Sequence, residues 1–154
     1  MSRFPRLPPR LNRVFERTPL YFVTFCTYRR CPFLATQAVH EAFTRFGETA
    51  YSTHNIAVGR YVIMPDHLHL FVCGSVEFQL SRWISMLKQV LGKTVSYKGD
   101  DPVWQRGFFD HVLRSQESYG QKWNYVRDNP VRAGLAVDPN EWPYAGEIVY
   151  IDRP

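Results

Sequence analysis

The stretch from Ile56 to Cys73 constrains the fold most. Two apolar, β-branched runs, IAVGRYVIM at 56–64 and HLHLFVC at 67–73, stand on either side of Pro65-Asp66, a pair that interrupts regular structure. Both read as strands, with Gly59 a candidate bulge. Leu20 to Tyr28 (LYFVTFCTY) and Phe108 to Leu113 (FFDHVL) read as two more. Helical patterns lie between them. In 36–51, Val39, Phe43 and Phe46 recur at helical spacing, with Ala42 and Ala50 in keeping, and His54-Asn55 then makes a turn. In 77–96, Leu80, Trp83, Ile84, Leu87, Val90 and Leu91 form one apolar stripe. A last helix, capped by Ser115 with Glu117 in its first turn, must end near Asn129, because Pro130 disfavours helical geometry in the residue before it. Asn129-Pro130 and Ala133-Gly134 make turns, and the piece around Trp142-Pro143 is irregular.

The order strand, helix, strand, strand, helix, strand, helix is the split βαβ arrangement. It predicts an α+β, ferredoxin-like antiparallel sheet with helices on one face and the other face free for a site. With 154 residues and no repeats, the chain is expected to form one domain over 20–154, behind a basic arm at 1–19. In that arm Arg3, Arg6, Arg10, Arg13 and Arg17 oppose one acid, Glu16, and Pro5, Pro8 and Pro9 discourage a helix. It suits a run of phosphates or a solvated tail equally well. A hydrophobic share of 45% against 21% charged residues is that of a globular protein. No window approaches a membrane span and no signal peptide is evident. Cys26, Cys31 and Cys73 are odd in number and lack zinc-ribbon spacing, which points to a reducing compartment; a cytoplasmic, nucleoid-associated location is expected. The net charge of +5 permits a polyanionic partner.

Chemistry concentrates in His67-Leu68-His69. Alternation along a strand puts His67, His69 and Phe71 on one side and Leu68, Leu70 and Val72 on the other. Two imidazoles on one rigid strand suit a divalent ion while leaving positions open. The last helix offers a third donor. Tyr119, Trp123 and Val126 form its packed stripe, and Tyr125 lies off it, one turn before Asn129. Tyr125 is then either a half-buried ring or a nucleophile beside an ion, with Asn129 as an oxygen donor.

Three blocks carry a resemblance. YVIMPDHLHLF at 61–71 resembles the histidine–hydrophobe–histidine motif of HUH nucleases. WQRGFFDHVLR at 104–114 and WNYVRDNPVRAGL at 123–135 resemble later blocks of the REP-associated tyrosine transposases. The likeness runs from about Tyr21 to Pro143. It implies His67, His69 and Asn129 as ligands of Mg²⁺ or Mn²⁺, and Tyr125 as the attacking residue, with Tyr119 as the rival. It implies transfer of single-stranded DNA beside palindromic hairpin repeats through a 5′-phosphotyrosine bond, by a monomer, although some relatives are dimers. DNA contacts are expected from Arg10, Arg13, Arg82, Lys88, Lys93, Trp104, Gln105 and Arg106, with Trp104 either stacking on a base or serving as a core ring. Asp66 and His111 are candidates to help activate Tyr125.

Three other readings are weaker. A non-catalytic module binding single-stranded nucleic acid would have no use for His67, His69 and Tyr125 together, and the RNP1 pattern is absent. A histidine-triad hydrolase needs a third alternating histidine where this chain has Phe71. A structural zinc site would lack its cysteine pairs.

Overall fold

A computed structural model describes residues 18–95, 99–114 and 116–151, with Gln116 and Glu117 as backbone only. The arm, including Arg10 and Arg13, and the capping role given to Ser115 and Glu117 lie outside the described residues.

Five strands form one antiparallel sheet: β1 (Leu20–Cys26), β2 (Ala57–Ile63), β3 (His67–Cys73), β4 (Phe109–Leu113) and β5 (Ala145–Glu147), in the order β4-β1-β3-β2-β5. The first four positions of that order are the expected ferredoxin-like sheet. The register places Thr24 opposite His69 and Cys26 opposite His67. It slips between Val58 and Tyr61, a bulge at Gly59. A Cβ on Gly59 would collide with the Tyr119 hydroxyl and lie 2.9 Å from Ile151, so glycine is what lets these side chains reach the strand.

Helices α1 (Gln37–His54) and α2 (Leu80–Gly92) cover one face. Thr36 caps α1 by accepting from the Val39 N–H, and Asn55 closes it in the left-handed region at φ 54°. Phe43 of α1 packs on Tyr61, their ring centroids 4.6 Å apart. Helix α2 is shorter than the 77–96 pattern. Gln79 is extended at φ −108°, ψ 99°, and after Gly92 the Thr94 hydroxyl donates to the Leu91 carbonyl, ending the helix.

The opposite face is not left bare. Helix α3 (Gln116–Val126) crosses part of it, with the Tyr119 ring 4.7 Å from that of Phe71. The expected continuous helix to Asn129 is broken. It stops at Val126, and Asn129 opens a separate turn, α4 (Asn129–Arg132). Pro130 explains the break: it has no N–H to give to Val126, and its fixed φ suits the first turn of a new helix. The sequence reading missed β5, whose AGE lacks strand propensity; pairing with β2 and the Arg60–Glu147 ion pair at 3.4 Å hold it in place.

Candidate active site

His67 and His69 project from β3 with ring centroids 4.7 Å apart. Each has its Nδ1 engaged. The His67 Nδ1–H donates to an Asp66 carboxylate oxygen at 2.7 Å, and the His69 Nδ1 bonds the Thr24 hydroxyl at 2.7 Å. The Asp66 carboxylate favours the Nδ1–H form of His67, which leaves the lone pair on Nε2, while the Thr24 hydroxyl, able to donate or accept, orients the His69 ring without choosing its tautomer. Burial holds the pKa of both rings below the usual value, that of His69 at about 3 with help from neighbouring positive charge. Both are therefore neutral at physiological pH, as metal ligands must be. Among the described residues no cluster of three or more His, Cys, Asp or Glu could hold a metal, so the pair has no third donor of those types beside it there. The pair thus fits an ion with open coordination positions.

Asp66 orients His67, which leaves it poorly suited to be a free base. Its second oxygen accepts from Arg30 Nε at 2.9 Å. Arg30 and Arg29 hold left-handed φ of 57° and 52°, uncommon for non-glycine residues, in the 3-10 turn after β1. The sequence reading passed over Arg30. Its signal is a basic pair directly after the strand that runs alongside the two histidines.

The helical half is built differently. Tyr125 is 66% exposed, and the Arg132 guanidinium lies 4.1 Å from its ring centroid. Arg132 also donates to the Asn129 amide oxygen. Tyr125 and Asn129 are thus joined through Arg132 and do not share one helix face, and the donor atom expected of Asn129 is already engaged. The positive charges of Arg132 and Lys122 both act on His69. Lys122 also lies over the Phe22 ring, which stacks on His69 with centroids 5.4 Å apart. Tyr119 is 1% exposed, its oxygen accepts from the Arg60 N–H at 3.0 Å, and burial pushes its pKa well up. That is a packing tyrosine, not an attacking one.

The expected DNA contacts divide. Trp104 is packed: its ring meets Phe25 edge-on at 5.1 Å and its Nε1–H donates to the Lys88 carbonyl. Lys88 is likewise committed, donating to the Gln105 and Gly107 carbonyls. Gln105 and Arg106 are exposed, and Gln105 N–H bonds the Cys26 carbonyl, near His67. Arg82 and Lys93 are exposed but belong to α2, on the layer away from the histidines. Between β4 and α3, a cavity of about 470 Å³ is lined by His111, Arg114, Lys122 and Tyr125 among others.

A family described as "Transposase IS200 like" matches residues 18–129. The chain belongs to that family. A protein of Escherichia coli (strain K12) named REP-associated tyrosine transposase is 28% identical over 91 residues, spanning 57% of this chain and 52% of that protein. A protein of Haemophilus influenzae, whose name assigns it provisionally to the same group, is 24% identical over 148 residues, spanning 87% of this chain and 82% of its own. A solved structure described as the REP-associated tyrosine transposase bound to a REP hairpin aligns with a TM-score of 0.68 at 21% identity, covering 94% of this chain and 82% of that one. At that identity the likeness establishes the fold. Tyrosine transposases cut and join DNA, so family membership makes this an enzyme of DNA strand transfer. No described helix is long and apolar enough to cross a membrane.

Proposed function

We propose that the protein cuts and rejoins single-stranded DNA beside palindromic hairpin repeats through a 5′-phosphotyrosine bond at Tyr125, with Mg²⁺ or Mn²⁺ held by His67 and His69. The observation that carries this reading is the pair of neutral imidazoles side by side on one strand, each held through Nδ1 so that Nε2 is the atom left for a ligand. Asn129 completes the ligand set once its amide oxygen is released by Arg132. When bound, the cation supplies charge neutralisation at the scissile phosphate.

The chain's own residues do the rest. The Tyr125 oxygen forms a bond to phosphorus as the bond to the 3′-oxygen breaks, and the electron pair leaves with that oxygen. The tyrosine proton departs and a proton reaches the 3′-oxygen, so the step balances without ATP. The linkage conserves the bond, and an incoming 3′-hydroxyl reverses the attack to join strands. Attack needs the phenolate form, and Arg132 against the ring places positive charge beside it. Exposure of Tyr125 suits attack on a bulky strand. Gln105 and Arg106, at the His67 end of the sheet, and the arm with Arg10 and Arg13 supply phosphate contacts. The protein acts as a monomer, which light scattering of the DNA complex checks.

The test is a denaturing gel of the protein with labelled single-stranded hairpin DNA from repeats flanking its own gene, with Mn²⁺ or Mg²⁺. The expected result is an adduct that needs the ion and Tyr125. An adduct that survives Tyr125→Phe moves the nucleophile elsewhere. Tight, salt-sensitive binding with no adduct for either ion replaces the enzyme reading with that of a binding module.

A further inference from the structure

The cavity between β4 and α3 is not used by the chemistry assigned to His67, His69 and Tyr125. Its volume, about 470 Å³, is in the range of small-ligand sites. Tyr125 stands at one side of it. Arg114 and Lys122 give its lining positive charge, and no carboxylate is present among the described lining residues. Lys122 lies over Phe22 at 5.2 Å, and Phe22 stacks on His69, so this wall leads directly to the histidine pair. Strand β4 is the edge of the sheet, and its His111 stands opposite Phe22, on the face that carries His69. The rings of His111 and Tyr125 thus lie beside the cations, the combination that single-stranded nucleic acid uses: charge for the backbone, ring surface for the base.

We infer that this cavity is a nucleotide subsite, taking one unpaired nucleotide of the strand next to the phosphate that Tyr125 attacks. Arg114 and Lys122 hold its phosphate, while His111 lies against the sugar and base. The inference rests on the strand-transfer reading, since that reading puts the scissile phosphate at Tyr125. The contact is separate from the Gln105–Arg106 loop, which lies at the His67 end of the sheet.

Two variants at exposed positions test it, Arg114→Gln to remove charge and Gln121→Trp to fill the space. Binding is measured with chelator present, so that no cutting occurs. The probe is a fluorescein-labelled hairpin oligonucleotide with a single-stranded flank, and a series of the same probe in which one flanking nucleotide at a time lacks its base. Arg114→Gln is expected to weaken binding about 5–10-fold at low salt and to reduce the salt slope by about 0.7. Gln121→Trp is expected to weaken binding to the intact probe. At one flank position, removal of the base is expected to abolish the difference between Gln121→Trp and the wild type. The proposal is overturned if both variants bind every probe as the wild type does, or if Arg114→Gln weakens a blunt duplex equally. Adduct formation by the wild type, run in parallel with Mn²⁺, separates the two readings. An adduct with no variant effect removes the subsite and keeps the enzyme. A position-specific effect with no adduct keeps the nucleotide site and removes the enzyme.

Discussion

The two halves of the site are held by different physics. The histidine half is part of the sheet: His67 and His69 sit on β3, opposite β1, with Thr24, Asp66 and Arg30 fixing ring orientation. The tyrosine half stands on a helix that ends one residue after Tyr125, and Arg132 against the ring and Asn129 is its visible restraint. Burial shows the same division, with His69 shielded enough to bring its pKa to about 3 while Tyr125 is 66% exposed. A strand-borne donor pair is built before any ligand arrives. A side chain at a helix end, two-thirds exposed, is open to a bulky ligand. On the proposed function this division suits an enzyme that cuts, holds and rejoins, with donors held rigidly and an attacking group left accessible.

The largest effects come from removing either half outright. Tyr125→Phe is expected to cut adduct formation on the order of 10³-fold or more while leaving Mn²⁺ binding by calorimetry intact. His69→Ala is expected to lose both. If Tyr125→Phe also abolishes Mn²⁺ binding, the halves are not separable and the comparison fails. Next come the partners of the imidazoles. Asp66→Asn, which keeps the shape but removes the carboxylate at His67, is expected to weaken Mn²⁺ binding about 10–100-fold, and adduct formation is expected to return at high Mn²⁺. Unchanged affinity would mean that the His67 ring is held by its strand alone.

How much of this the sequence could reveal differs between the halves in the same way. Strand β3 was legible to the residue, because HLHLFVC alternates and Pro65-Asp66 marks its start. The histidine face followed from period two alone. Their partners were hidden. Thr24 lies 45 positions from His69 in the chain and meets it only through strand register, which no local pattern encodes. On the helical side, Pro130 was read as a stop, but its second role, starting α4, was not, so the helix was drawn past Val126 and Asn129 was placed on one face with Tyr125. Trp104 stands open in the sequence between stacking and packing, and Lys88 reads as a DNA contact, because aromatic and basic residues serve both packing and DNA. The Phe25 ring against Trp104 and the bonds from the Lys88 ammonium to the Gln105 and Gly107 carbonyls decide for packing.

Smaller effects test whether the helical half is anchored at its base and loose at its tip. At the base, Tyr119 wedges against Gly59 and Phe71 and accepts from the Arg60 N–H. Tyr119→Phe leaves that donor without its partner and is expected to lower the unfolding free energy by about 1–3 kcal/mol in urea titration, with the adduct still forming. Loss of the adduct in a folded Tyr119→Phe would return Tyr119 to candidacy as nucleophile. At the tip, a cation–ring contact at an exposed site contributes only ~0.5–1 kcal/mol. Arg132→Gln is therefore expected to slow adduct formation about 3–5-fold at saturating Mn²⁺, with unfolding unchanged. An equal rate would show that Tyr125 is positioned by α3 and not by Arg132.

The smallest effect comes from the other layer, and it measures how far protonation reports on the site at all. His40 on α1 bonds the Tyr61 hydroxyl at 2.7 Å and meets the Tyr144 ring edge-on at 5.8 Å. Burial lowers its pKa below 6.5, and Glu41 opposes the shift only in part. The folded state therefore binds fewer protons than the unfolded chain below about pH 6.5, so this contribution to stability is complete above that pH and is lost as pH falls toward the folded pKa. Because the ring is only half-buried, solvent screens the effect and the loss is a fraction of what full burial would give. His67 and His69 have the same sign, so the wild type alone cannot separate the face bearing them from the helix layer. Urea midpoints between pH 7.5 and 5.5, with chelator, are expected to fall less steeply for His40→Gln than for the wild type. Parallel curves would assign the whole acid loss to the active-site face, and would make acid unfolding a readout of the rigid half of the site.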